Sequence, residues 1–232
     1  MTPADLDSLK KAAAVKAVEF VRDGMVVGLG TGSTAKHMVI ALGEKVRAGM
    51  TLRGVPTSQE TAALARQFGI PLIDTENRWE IDVAIDGADQ VDPEFNLIKG
   101  GGGALLKEKI VAASARQFIV LVDYTKQVPV LGGSFPLPIE IIPFGWGSTA
   151  REIERLTKSP VVLRERSGAP FKTEAGNFIV DVHLARIEQP AGLESALNQI
   201  PGIVETGLFV GRTDILIVGK ANGTETLRAK TT

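Results

Sequence analysis

The sequence predicts an α/β fold: a Rossmann-like parallel sheet domain with a second, smaller α+β domain. Three observations carry this. Short apolar runs alternate with helical patterns from Gly24 to Lys126. Those runs are apolar at successive positions, as strands covered on both faces are. The alternation then breaks at "LGGSFPLPIEIIPFGWGS", where proline and glycine cluster ahead of a stretch rich in hairpin signals.

In order, "MTPADLDSLKKAAAVKAVEF" reads as a helix, with Thr2 as cap, Pro3 at the first helical position and Asp5 completing a capping box. It lacks the basic start and unbroken apolar stretch of a secretory signal. "GMVVGLG" is a strand, "TGST" a loop, and "AKHMVIALGEKVRAG" a helix by the spacing of its apolar residues. The same alternation runs through "TLRGVPTS", the helix "QETAALARQFG", "IPLID", "IDVAIDGAD", "FNLIKGGGG", the helix "ALLKEKIVAASA" and "RQFIVLVDYTK". Beyond the proline-glycine cluster come a helix and a hairpin, "PVVLRERSGAPFKTEAGNFIVDVHLARI", with turn signals at Ser167-Gly168 and Ala175-Gly176-Asn177. A further helix, "GLESALNQIPG", precedes "GLFVGRTDILIVGK", and the final strands return to the large sheet. The expected division is a Rossmann-like domain of residues 1–131 and 207–232 and a smaller α+β domain of residues 132–206.

Composition narrows the function. The formal net charge is -1 and no like-signed run stands out, so the basic field of a nucleic-acid binder is missing. There is no cysteine, which removes disulfides, thiolate metal sites and a cysteine nucleophile together and suits a reducing, cytoplasmic setting. No segment approaches the roughly 20 apolar residues of a membrane span. His37 and His183 are isolated, so no metal site is expected.

Four features carry chemistry. In "GLGTGSTA" a strand ends in glycines and opens a helix, an arrangement that offers backbone N–H groups to a phosphate at Thr31, Gly32, Ser33 and Thr34. It is neither a dinucleotide fingerprint, which would place glycine at Ser33, nor a P-loop, which would place lysine at Gly32. The plainer reading makes Ser33 or Thr34 a helix cap. Second, Asp86 and Asp89 lie where the run "IDVAIDGAD" stops, and ligands of open parallel sheets bind beyond that end. Such acids accept sugar hydroxyls or move protons, and equally serve as Asx turns. Third, Lys99 opens "KGGGGA", where four glycines admit close backbone approach. Fourth, Lys126 ends another apolar run. Glu108 lies about 200° around its helix from Leu106, whose row continues through Ile110 and Ala113. By periodicity alone, then, Glu108 faces away from the sheet as a solvated glutamate.

Together these residues resemble the type A ribose-5-phosphate isomerase family. The matching motifs are "GLGTGSTA", "DGAD" followed by "KGGGGA", a helical "KEKI", "DYTKQV" before "FPLPIEIIP", and later "GNFIVDVH" and "IPGIVETGLF". The resemblance implies interconversion of ribose 5-phosphate and ribulose 5-phosphate through an enediolate, in the pentose phosphate pathway, with no metal or cofactor and with a homo-oligomer, dimer or tetramer. It makes Glu108 the base, overriding the periodicity. It makes Thr31, Gly32, Ser33, Thr34, Asp86, Gly87, Ala88, Asp89, Lys99, Gly100, Gly101, Gly102 and Lys126 the substrate-binding positions, with Asp86, Asp89 and Lys99 assisting the chemistry. Gln90 departs from the family's usual acid at that place. Two rival readings are a non-catalytic sugar-phosphate sensor, which would want a DNA-reading module, and a nicotinamide-dependent dehydrogenase, which would want the missing glycine.

Overall fold

The structure, a computed structural model, describes residues 2–229 except 75 and 77. The chain divides into two units: residues 1–88, 107–127 and 212–232, and residues 89–106 and 128–211.

The first unit is built on a six-stranded sheet. Its strands are β1 (Val26–Leu29), β2 (Arg53–Pro56), β3 (Val83–Gly87), β4 (Phe118–Asp123), β5 (Ile215–Lys220) and β6 (Gly223–Arg228), in the spatial order β6-β5-β4-β3-β1-β2. All neighbours are parallel except β6, which returns antiparallel on β5. Alternate residues of β1 serve opposite faces, as the pleat requires. Val27 and Leu29 join Ile85, Ile119 and Leu121 in a core shared with α1 (Pro3–Val18) and α2 (Ser33–Arg47). Gly28 faces the other way, toward Val111 of α4 (Leu105–Ser114), and a Cβ there would lie 2.5 Å from the Val111 methyl. Helix α3 (Gln59–Gln67) follows β2 and is capped by the Ser58 hydroxyl. The expected capping box of α1 is present: Thr2 Oγ1 accepts from Asp5 N–H, and Asp5 accepts from Thr2 N–H. The Thr2 backbone N–H, and after it the Thr2 side chain, hold the Asp5 carboxyl below its usual range.

The second unit carries a four-stranded antiparallel sheet of strands 203–206, 137–141, 178–182 and 161–163, in that order. Helices α5 (Trp146–Thr157) and α6 (Pro190–Leu197) contribute Ile153 and Leu197 to its core, beside Ile139, Ile141 and Val180. The Ser167-Gly168 turn forms as expected between Arg166 and Ala169, with both residues at positive φ, the conformation that a two-residue hairpin turn demands.

Two expected strands of the large sheet are absent from it. "IPLID" contributes one bridge, Gly54 to Leu72, because Pro71 has no N–H to give a ladder. "FNLIKGGGG" forms the two-residue strand Leu97–Ile98, which pairs antiparallel with Gln90–Val91 and Leu208–Phe209 in the second unit. The reason is length. A parallel return after β3 needs a crossover of a dozen or more residues, usually a helix, and only nine separate Gly87 from Leu97. The second unit therefore takes in residues 89–106, which the sequence reading assigns to the large domain. Burial raises the pKa of Asp92, in the tight turn of that hairpin, although Asn96 and Glu94 donate to it.

Among the described residues no helix is long and apolar enough to cross a membrane, and no group of three or more His, Cys, Asp or Glu side chains is placed to hold a metal ion.

Candidate active site

In the first unit the candidate residues gather at the carboxyl ends of β1 and β3. After β1 the chain turns through Gly32, at φ +103°, a conformation that favours glycine, and starts α2 at Ser33. No side chain caps this helix, so the plainer reading of Ser33 or Thr34 as N-cap does not hold. The uncapped first turn keeps its N–H groups and positive dipole end available to an anion. The Thr31 hydroxyl is turned inward instead, 2.7 Å from Thr57 Oγ1 and 2.9 Å from Ser58 Oγ. Thr57, Ser58 and Thr61, which the sequence reading passed over, thus hold the loop in place, and the Thr61 hydroxyl donates to Gly30 O at 2.9 Å.

Lys10 was also missed. Its ammonium donates to the exposed Ser33 hydroxyl at 3.1 Å, which sets a cation at the first turn of α2. Three residues earlier on α1, Asp7 meets His37 at 2.9 Å; the hydrogen bond and then the charge of His37 hold the Asp7 carboxyl below its usual range. Lys10 lies 23 positions from Ser33, and its own helical pattern reads as solvated, so no local signal pointed to it.

Asp86, at the end of β3, is buried and accepts the N–H groups of Thr31 at 3.1 Å and Gly87 at 2.7 Å. Gly30 lies so close that a Cβ would fall 2.1 Å from Asp86 Oδ1, so glycine is the residue that fits. A Cβ at Gly87 would meet the Thr34 side chain at ordinary contact distance.

Glu108 sits in the first turn of α4 and is 6% exposed. Together with Gly28, Gly30, Thr57, Asp86 and Val111 it lines a narrow, partly open crevice with no room for a water molecule. The helix therefore turns the opposite way from the periodicity reading: Leu105, Glu108, Lys109 and Ala112 are buried, while Ile110 is 46% exposed. "LLKEKIVAAS" has apolar residues on two rows, and periodicity cannot choose between them. Lys126 ends a short 3-10 turn after β4, half-buried, and Asp123 fixes that turn by accepting from Thr125 N–H at 3.0 Å.

The second unit holds Asp89, Lys99 and the four glycines that follow it. Lys99 is 3% exposed, and its ammonium lies over the Phe209 ring, 5.4 Å from the centroid. Its backbone pairs with Gly207 O at 2.9 Å. Gly100 and Gly103, at φ +105° and +90°, close a turn in which Gly103 N–H donates to Gly100 O at 3.0 Å. Asp89, half-buried, accepts Gly101 N–H at 2.8 Å. Ala88 joins the two acids along the chain. Gln90 is a packing residue: it donates to Gly132 O and accepts Gly132 N–H, at 2.9 and 2.8 Å.

Comparison with known proteins adds an independent line. A family model described as ribose 5-phosphate isomerase A (phosphoriboisomerase A) matches residues 53–223. The chain is 50% identical to the ribose-5-phosphate isomerase A of Parvibaculum lavamentivorans, over 96% of this chain and 99% of the relative. It is 51% identical to that of Gloeobacter violaceus, over 96% and 97%. Among solved structures, a D-ribose-5-phosphate isomerase in complex with phospho-erythronic acid superposes with TM-score 0.93 and 43% identity, over 96% of this chain and 99% of that one. The ribose 5-phosphate isomerase of Plasmodium falciparum superposes with TM-score 0.94 and 36% identity, over 97% and 100%.

Proposed function

The chain belongs to the ribose 5-phosphate isomerase A family and is an aldose-ketose isomerase, and from that premise we propose how its residues carry the interconversion of ribose 5-phosphate and ribulose 5-phosphate. Glu108 is the base that takes the C2 proton and returns it to C1. The observation that carries this is the burial of Glu108 beside Asp86, in a narrow crevice that Gly28 and Gly30 also line.

A proton next to a carbonyl is weakly acidic, so the base works only if the developing enediolate oxygen is stabilised. The Lys99 ammonium and the Gly102 amide supply that charge, and Gly100 and Gly101 shape the substrate-binding turn that presents it. Asp86 and Asp89 receive sugar hydroxyls and assist ring opening, Gly87 and Ala88 let the sugar approach the backbone, and the step needs no metal. The phosphate lies on the Gly32, Ser33 and Thr34 amides at the uncapped start of α2, with Thr31 holding the loop's shape and Lys10 and Lys126 supplying cations. The enzyme works in the non-oxidative branch of the pentose phosphate pathway, in the cytoplasm, as a homo-oligomer. The exposed apolar group Ile142, Phe144 and Trp146, with Phe144 88% exposed, supports self-association.

Lys10 provides the test of phosphate placement. Ketose formation from ribose 5-phosphate is followed with EDTA present and nicotinamide nucleotides absent. Lys10→Met raises KM about 10- to 100-fold, the worth of one charge-assisted hydrogen bond, and leaves kcat within about threefold. An unchanged KM would move the phosphate to another place, and binding without ketose formation would favour the sensor reading.

A further inference from the structure

Arg164 is absent from the roles above, yet it reaches the glycine turn directly. Its Nε donates to Asp181 Oδ2 at 2.8 Å and its Nη2 to Asp181 Oδ1, a two-pronged pair in which both side chains are largely buried. The remaining nitrogen, Nη1, donates to Gly100 O at 2.8 Å and to Gly101 O at 3.3 Å. One guanidinium thus grips two successive peptide carbonyls while a carboxylate holds its other edge.

Trans peptide planes carry N–H and C=O on opposite sides. With both carbonyls turned to Arg164, the N–H groups of Gly101 and Gly102 point the other way. Gly101 N–H is taken by Asp89. Gly102 N–H has no hydrogen-bond partner among the described residues, and Gly102 is exposed, so this amide is left for a ligand. Four glycines in a row would otherwise sample many peptide orientations. A donor that stabilises a developing oxyanion acts by being aimed beforehand.

We propose that Arg164, seated by Asp181, is a positioning residue that aims the Gly102 amide at the enediolate oxygen. The proposal rests on the glycine turn serving as an oxyanion site. Lysine cannot replace Arg164, because one ammonium cannot hold a carboxylate on one edge and two carbonyls on the other.

The test uses the full-length protein labelled with 15N, with phospho-erythronic acid as a stable acid analogue of the enediolate and inorganic phosphate as a control ligand. In the unaltered protein the analogue shifts the Gly102 amide resonance. In Arg164→Lys that resonance moves before any ligand is added. Affinity for the analogue and kcat each fall about 10- to 100-fold, the usual cost of misplacing a positioned group. KM, the affinity for inorganic phosphate and the thermal midpoint hold. A folded Arg164→Lys protein with kcat and analogue affinity within twofold of the original overturns the positioning role, even where the Gly102 shift is seen. Absence of that shift in the unaltered protein instead overturns the oxyanion site itself. Should Arg164→Lys fail to fold, Asp181→Asn keeps the guanidinium but loosens its seat, and the same measurements then show smaller losses in the same direction or refute the role.

Discussion

Glu108→Gln lowers kcat for ribose 5-phosphate by about 10²- to 10⁴-fold, the usual worth of a positioned general base. The amide has nearly the size and shape of the carboxylate, so the first turn of α4 stays filled and KM changes little. Glu108 is held by a helix and not by a loop, which fixes its aim. Glu108→Asp therefore retains a base but withdraws it by about one methylene, and its rate falls between those of the original protein and the glutamine variant. Initial-rate assays of ketose formation, with circular dichroism to check the fold, decide the matter. A folded Glu108→Gln protein with kcat within a few-fold of the original would remove Glu108 from the reaction.

Lys99→Met is the second large effect. Methionine nearly matches the lysine stem in volume and can keep the contact with Phe209, so what is lost is the buried ammonium. An enediolate deprived of one stabilising donor in a water-poor site forms about 10²- to 10³-fold more slowly. The loss falls on kcat, because the charge it stabilises exists in the transition state and not in the bound sugar. Equal losses in KM and kcat, or none, would place Lys99 elsewhere in the reaction.

Much of this was legible in the sequence because the informative features were local. The runs at β1, β3 and β4 are apolar on both faces and could hardly be anything but covered parallel strands, and each candidate motif sits at the end of such a run or of a short glycine-bounded one. The rest depended on distance or on ambiguity. The phase of α4 was misread because Leu106, Ile110 and Ala113 form one apolar row and Leu105 with Ala112 another, and only packing decides which row is buried. The segment at Leu97–Ile98 looked like a sheet strand because apolarity says nothing about partner or direction; the short span from Gly87 was the overlooked clue. Lys10, the hydroxyls of Thr57, Ser58 and Thr61, and Arg164 act on residues 23 to 64 positions away, where sequence patterns of short range carry no signal.

The central claim, that a carboxylate moves a proton between adjacent carbons, is met most directly by running the reaction in D₂O with EDTA and reading the sugar carbons by NMR. Proton transfer predicts deuterium entering C1 of ribulose 5-phosphate and C2 of ribose 5-phosphate as the two equilibrate, at a rate at least about a hundredfold lower in Glu108→Gln. Ketose that accumulates with no deuterium at C1 however long the reaction runs, or a glutamine variant that incorporates label at the original rate, would contradict it.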